Sequence, residues 1–273
     1  MEREIAKVGA SPKDGFDVRS STGSKVDPSS AIFAIIRQPD PPYGDLTVIG
    51  TGFYICHYGL FATAKHVLKE CLDKRGQPTI PLSIVHRFPL TQTVQVRPII
   101  RAVLHDSSDV AVGMAAPMQH RTTRENLWSD SVVLSASEAS IGDKIATYAY
   151  PNATTERIAD DWHKAHLYPL FYEGTVVECY PHGRDRVMMP GPCFRTSMHM
   201  HGGASGGPVF DLRSGRVCGI NSTAFPDSPD VSFVSMVSPL LQLDIEGVTF
   251  DASTPPQTVK LARLVELGIV PYE

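Results

Sequence analysis

The stretch that decides the fold is "HMHGGASGGPVF", residues 199–210. Four glycines surround one serine, Ser205, and a proline with two apolar residues follows directly. Glycine allows backbone conformations that other residues avoid, but it loses more conformational entropy on folding. This segment accepts that cost around a single hydroxyl. A glycine-rich turn that carries a serine on the protein surface would have the same sequence pattern. The rest of the chain must therefore decide between a turn and a chemical site.

A serine hydroxyl needs partners before it can act as a nucleophile near neutral pH. It requires a neighbouring base, and a third group that orients the base. The oxygen that becomes negative during acyl transfer also needs hydrogen-bond donors, which are often backbone N–H groups. We therefore expect the N–H groups of Gly203 and Ser205 to point at one oxyanion site.

Two upstream stretches supply the partner types. "GTGFYICHYGLFATAKHVL" (residues 50–68) places His66 just past an apolar strand, at the start of a short helix. "HDSSDVAVGMA" (residues 105–115) places Asp109 directly before an alternating apolar strand. Taken singly, these residues read as a surface imidazole and a turn or cap carboxylate. Taken together with Ser205, they form a candidate triad.

Composition places the chain among ordinary soluble globular proteins. It has 273 residues, 42% hydrophobic and 20% charged, with a formal net charge of −4. This charge gives no electrostatic reason to expect nucleic acid or an anionic membrane as a partner. No apolar segment has the length of a signal peptide or a membrane span.

The five cysteines are odd in number and fit neither a zinc CxxC pair nor a dense disulfide framework. They predict reduced thiols in a cytoplasmic protein, with a single bridge as the alternative. No metal or other cofactor is expected.

Short apolar runs separated by glycine and proline predict an all-β sandwich or barrel. The polar residues 1–28 are expected to form a flexible leader. Residues 151–166 are predicted to be a long loop between two β halves. A short helix is expected within "TAKHVLKECL" (residues 63–72), and a second within residues 254–268, from a cap at Thr254 to a stop at Gly268.

Several motifs together resemble the trypsin-like, chymotrypsin-fold serine peptidases, and more closely the bacterial HtrA-type branch. They are "GTGF", "FATAKHV", "SDVAV", "GGASGGPVFD", "GRVCGINS" and "SFVSMVSPLLQL". The resemblance covers about residues 31–243, and the nucleophile loop is its most specific element. Val67 stands where secreted relatives carry a disulfide cysteine. Ala204 stands where digestive relatives carry an aspartate that pairs with a new N-terminus.

The resemblance implies two six-stranded antiparallel β-barrels with the active site between them, and a C-terminal helix. The peptidase domain would span residues 29–250, divided near residues 130–165. Residues 251–273 would pack a helix on it, with no PDZ domain. His66 would be the general base and acid, Asp109 would orient it, and Ser205 would form the acyl-enzyme.

Rivals for two of these roles occur nearby in the sequence. Asp106 competes for the acidic role, but the family aspartate sits immediately before its apolar strand, as Asp109 does. His57 and His105 compete for the role of base, but neither follows an "ATA" strand end.

Specificity is implied only by resemblance. His199, six residues before the nucleophile, would lie near the base of the pocket for the side chain that precedes the scissile bond. Ser222, Thr223 and Ala224 would run along the substrate backbone.

The residues around His199 leave alternatives open. Met198, Met200 and His201 would either line the pocket walls or pack inside the second barrel. The "HMH" spacing also puts both imidazoles on one face of a strand, as in a metal pair. No third ligand is evident nearby, so a metal site is not predicted.

The sequence therefore predicts a serine endopeptidase whose partner is a protein or peptide substrate. The alternative is a peptidase-fold protein that is silent or partner-activated and binds peptides or a protein. An esterase is disfavoured, because "GGASGGPVF" leads into a strand and not through the strand–turn–helix elbow of α/β-hydrolases. Restraint of activity could come from a regulatory partner, from the leader, or from an active site ordered by substrate.

Overall fold

The computed structural model describes residues 15–38, 46–87, 94–120, 122–159, 162–225, 228–250 and 255–273. Two short α-helices, α1 (Lys65–Lys69) and α2 (Leu261–Glu266), and two 3-10 turns, Pro28–Ser30 and Ser238–Gln242, accompany the strands. The strands are β1 (Val18–Arg19), β2 (Ile32–Arg37), β3 (Thr47–Tyr54), β4 (Leu60–Thr63), β5 (Leu82–Arg87), β6 (Val94–Leu104), β7 (Ala111–Ala115), β8 (Met118–Gln119), β9 (Asn126–Leu127), β10 (Ser131–Val132), β11 (Lys144–Ala149), β12 (Thr154–Ala159), β13 (Trp162–His166), β14 (Leu170–Tyr180), β15 (Cys193–Thr196), β16 (Pro208–Asp211), β17 (Val217–Phe225), β18 (Ser228–Met236), β19 (Asp244–Val248) and β20 (Gln257–Lys260).

Two closed barrels account for most of these strands. The first has the order β2-β3-β4-β7-β6-β5 and the second the order β11-β14-β15-β18-β17-β16. Phe33 and Phe61 fill the first barrel, with ring centroids 5.5 Å apart and no exposed surface. Phe194 and Val234 are likewise fully buried in the second. The predicted fold class, two six-stranded antiparallel β-barrels with a C-terminal helix, is confirmed.

The boundary between the barrels follows from the strand order. The last strand of the first barrel ends at Ala115, and the second barrel begins with Lys144. The connection therefore occupies residues 116–143 and overlaps only the first part of the division predicted near residues 130–165.

Part of the predicted leader is packed against the domain. Residues 1–14 lie outside the described residues, but Phe16 and Val18 are fully buried. The Phe16 ring lies 4.2 Å from that of Phe210 in β16, centroid to centroid. Strand β1 pairs with β10. The prediction of a flexible leader is thus wrong for residues 15–28, because Phe16 packs against the strand that follows the nucleophile loop and Val18 is held in the β1–β10 pair.

Two further expectations need correction. The polar stretch 151–166 is predicted to be a loop between the barrels, but it contains the paired strands β12 and β13, which lie between β11 and β14 of the second barrel.

The C-terminal helix is shorter than predicted. Residues 257–260 form β20 against the edge of β19, so the helix begins at Leu261 and ends just before Gly268. Thr254 lies outside the described residues.

The cysteines and the helices add two observations. All five cysteines are free thiols, and four of them are buried. Among the described residues, neither helix reaches the length and apolar character that a membrane-spanning helix requires.

A buried histidine in the first barrel makes stability depend on pH. His86 is 2% exposed, its ring lies 5.8 Å from that of Tyr54, and its Nε2 lies 3.2 Å from the carbonyl oxygen of Ser29. The pKa of His86 is lowered from 6.5 to about 4, chiefly by burial and in smaller part by the charge of Arg97. Burial disfavours the charged form of the imidazole.

The unfolded chain consequently binds one more proton than the folded chain between the two pKa values, so stability falls as pH falls. We expect the free energy of unfolding to drop by about 2–3 kcal/mol from pH 7 to pH 4.5 through this residue. Urea denaturation of wild type and His86→Gln at both pH values measures the difference. The exposed His182→Gln variant should keep the wild-type drop. An equal drop in His86→Gln would contradict the assignment.

Candidate active site

The two strands β4 and β7 bring His66 and Asp109 together. Thr63 at the end of β4 pairs with Ala111 at the start of β7. His66 follows β4 by three residues, and Asp109 precedes β7 by two. The distance from His66 Nδ1 to Asp109 Oδ2 is 2.8 Å, and the backbone N–H of His66 donates to Oδ1 at 2.9 Å. A carboxylate only accepts, so Nδ1 carries the hydrogen and Nε2 of the neutral ring keeps its lone pair.

Ser222 supplies a third donor to the same carboxylate. Its hydroxyl donates to Asp109 Oδ2, and the residue is 3% exposed. Ser222 lies where the register of β17 against β18 shifts, between Asn221 and Thr223. Such bulges redirect a side chain. That Ser222 runs along the substrate backbone stays a prediction; its hydroxyl contacts Asp109, a role for which the local sequence gives no signal.

Ser205 joins this group through Ser222. Its Oγ donates to the carbonyl oxygen of Ser222 at 3.1 Å. Ser222 therefore lies between the nucleophile and the carboxylate, because its backbone oxygen contacts Ser205 and its hydroxyl contacts Asp109. Within the described residues, no hydrogen bond links Ser205 Oγ directly to His66. Such contacts are often long or poorly aligned in sites without substrate.

The backbone around Ser205 offers two unused donors. Neither Gly203 N–H nor Ser205 N–H finds an acceptor within the described part of the chain. Gly203 has φ +89°, and a Cβ there would lie 2.9 Å from the carbonyl oxygen of Pro151. Only glycine fits this position without strain. The two N–H groups predicted to face an oxyanion are thus free to do so.

The loop is fixed to the first barrel by Thr51. The N–H of Thr51 donates to the carbonyl oxygen of Ser205 at 2.8 Å, and its hydroxyl donates to that of Gly203 at 2.9 Å. Gly206 has φ +85°, and a Cβ there would collide with the Thr63 hydroxyl. Sequence reasoning missed Thr51. Its signal is the small-residue context "GTG" at residues 50–52, which admits a close backbone approach.

The rivals identified in the sequence lie in other contacts. Asp106 is exposed, and its backbone oxygen accepts from Lys65 Nζ at 2.8 Å. His105 Nδ1 accepts backbone N–H groups of its own loop, and His57 Nδ1 bonds a carbonyl oxygen at 2.8 Å. Of the described histidines, only His66 contacts Asp109 by hydrogen bond.

Met198 and Met200 turn inward, and His199 and His201 turn outward. Met198 and Met200 are 1% and 5% exposed in the core of the second barrel, so the packing interpretation holds for both. His199 and His201 are exposed, with ring centroids 4.8 Å apart. His201 Nδ1 lies 3.2 Å from the hydroxyl of Tyr172.

The described residues contain no group of three or more His, Cys, Asp or Glu side chains that could hold a metal ion. His199 and His201 therefore have no third ligand among them. The backbone of Thr223 and Ala224 lies in β17, and their side chains fall outside the described ones.

Comparison with known proteins agrees with this geometry. The family model of the trypsin-like peptidase domain matches residues 50–220, which include His66, Asp109 and Ser205. The chain belongs to this family. The trypsin-like resemblance drawn from the sequence is therefore confirmed. No curated protein matches the sequence significantly.

Solved structures share the trypsin-like fold with this chain. Deg5 superposes with a TM-score of 0.50 at 16% identity, over 77% of this chain and 84% of Deg5. The apo protease domain of MamO from Magnetospirillum magneticum gives a TM-score of 0.51 at 14% identity, over 77% of this chain and 93% of that one. Sequence identities this low show a common fold and give no information on the reaction.

Proposed function

We propose that the protein is a serine endopeptidase that cleaves peptide bonds through an acyl-enzyme on Ser205. The observation that carries the proposal is that His66 is bonded to Asp109, and that Ser222 contacts Asp109 through its hydroxyl and Ser205 through its carbonyl oxygen. A base, its orienting carboxylate and a nucleophile are the three parts that acyl transfer needs. Membership in the trypsin-like peptidase family supports the same assignment.

The proton path follows from the tautomer of His66. Since Nδ1–H is held by Asp109, Nε2 is the basic nitrogen that faces away from the carboxylate. Rotation of the Ser205 hydroxyl away from the carbonyl oxygen of Ser222 would let it donate to Nε2. Ser205 Oγ then attacks the scissile carbonyl as Nε2 takes its proton. The same proton passes to the leaving amine, and a water hydrolyses the acyl-enzyme by the reverse route.

The developing negative oxygen would be held by the backbone. Gly203 N–H and Ser205 N–H lie beside the nucleophile and find no acceptor among the described residues. Thr51 binds the carbonyl oxygens of Gly203 and Ser205, which holds the loop against the first barrel before substrate arrives. Donors placed in advance stabilise the charge without reorganisation during the reaction.

A fluorophosphonate probe tests the proposal directly, because it reacts with an activated serine. Wild type should be labelled at Ser205, as mapped by mass spectrometry, and labelling should be lost in Ser205→Ala and His66→Ala. Labelling that persists in a folded Ser205→Ala protein would refute the assignment. A folded wild type that is never labelled would favour the alternative, a peptidase-fold protein that binds peptides or a partner without cleaving them.

Gly203→Ala should slow turnover of a fluorescent casein substrate by about 10²–10³-fold. The added Cβ meets the carbonyl oxygen of Pro151 at a positive φ, and the shift of the peptide removes one oxyanion donor. Gly202→Ala is the matched control, because a Cβ at Gly202 has no neighbour within 4 Å. Equal rates in the two variants, high or low, would contradict this role of Gly203.

A further inference from the structure

A cavity of about 250 Å³ lies at the far end of the two strands that carry the candidate site. One wall is formed by Leu60 and Met114, which pair across β4 and β7. The Thr63–Ala111 pair lies three residues further along the same ladder, on the side of the candidate site. At about 3.3 Å per residue, that is roughly 10 Å along the strands. The cavity is therefore separate from the hydrogen bonds around Ser205.

The opposite wall comes from the C-terminal segment. Val248 ends β19 and Thr249 follows it, and Leu264 of α2 and Ile269 also line this side. Leu264 is 1% exposed, so this side of the cavity belongs to the packed core. A concave and mostly apolar pocket is the usual setting of a small-molecule site.

The chemistry of the lining is apolar and rich in sulfur. Of the described residues that line the cavity, none carries a charge. Side-chain polarity comes from the hydroxyls of Tyr58 and Thr249 and from the buried thiol of Cys56. The thioether of Met114 lies on the same lining. Sulfur atoms make favourable contacts with aromatic rings, and a charged ligand would lose its hydration here without compensation.

Exposed aromatic rings surround the mouth. Tyr58 and Phe250 both line the cavity, and they are 62% and 44% exposed. The edge of the Trp128 ring packs on Tyr58, with centroids 5.2 Å apart at 79°, although Trp128 is itself 49% exposed. Clustered exposed apolar side chains of this kind mark binding sites more often than plain surface.

We propose that this cavity binds a small uncharged aromatic molecule of one or two rings. Its volume exceeds the roughly 150 Å³ of an apolar cavity that takes up benzene. Its aromatic rim and sulfur-lined wall favour a ring over an aliphatic chain. The site does not depend on the proposed peptidase activity, so each proposal can be refuted without affecting the other.

Indole is the probe for the test. Titration of the full chain with indole, followed by ¹⁵N amide shifts, should give a dissociation constant of about 0.1–1 mM. The shifts should concentrate at the amides of Met114, Gly247 and Thr249, and should be absent around Ser205. No saturable shift at several millimolar indole would overturn the proposal.

Variants that fill the cavity provide the decisive comparison. Met114→Trp narrows one wall and Val248→Phe the opposite wall, so a folding defect in one leaves the other informative. Each should weaken indole binding by about tenfold or more, because added bulk excludes the ring. Ile141→Trp adds the same side chain as Met114→Trp at a position that is 69% exposed and outside the cavity, and should bind indole as wild type does. Indole binding that persists in both filled variants would place the molecule elsewhere and refute the site.

Discussion

Replacement of Ser205 by alanine is expected to lower peptide turnover by about a millionfold. The acyl-enzyme forms on this oxygen, so its removal deletes the covalent route while leaving backbone donors in place. The side chain makes one described hydrogen bond, at 3.1 Å to the carbonyl oxygen of Ser222, so the fold should tolerate its loss. Steady-state cleavage of fluorescent casein, with the thermal midpoint measured in parallel, checks both expectations.

Ser140→Ala is a suitable control for this change. Ser140 is exposed in the connection just before the second barrel, and only its backbone takes part in the hydrogen bonds described for it. Its turnover should equal that of wild type. A Ser205→Ala protein that still cleaves casein at a few per cent of the wild-type rate would show that another group performs the reaction. A folded wild type without any turnover would point to the binding role.

The sequence identified those parts of the candidate site that depend on local chain chemistry. The glycines beside Ser205 and the strand ends at His66 and Asp109 can each be recognised from about ten residues of sequence. Their meeting follows from one antiparallel ladder, β4 against β7, which short apolar runs indicate well. The serine loop reaches the same place because its strand closes the second barrel.

What the sequence did not reveal depends on contacts between distant segments. Ser222 reaches Asp109 because β17 shifts register at that residue. The sequence "GINS" (residues 219–222) contains no pattern that predicts a bulge. Thr51 holds a loop that lies 152 residues away in the chain.

The termini and the polar hairpin were misjudged for a related physical reason. Phe16 and Val18 are two apolar residues among polar ones, too few to show a period, yet they are buried because Phe210 and β10 offer them a site. Residues 257–260 have a helix-like context but complete the edge of β19. In each case tertiary pairing overrides local preference.

Asp109→Asn is expected to reduce turnover by about 10⁴-fold without loss of folding. The carboxylate of Asp109 accepts three donors: the His66 ring, the His66 backbone N–H and the Ser222 hydroxyl. Asparagine has one accepting oxygen and a donating NH₂ group, so it cannot accept on both sides. If the NH₂ group faces Nδ1, the ring must accept there and carry its hydrogen on Nε2. The base that should receive the Ser205 proton is then absent.

Asp106→Asn separates this mechanism from a general loss of charge in the same loop. Both variants remove one negative charge within three residues, but Asp106 is exposed and its backbone oxygen, not its carboxylate, meets Lys65. Turnover and fluorophosphonate labelling should fall together in Asp109→Asn and stay at the wild-type level in Asp106→Asn. The reverse pattern would transfer the orienting role to Asp106. Equal losses in both variants would mean that the loop acts through its overall charge, and that the hydrogen bonds to His66 do not set the tautomer.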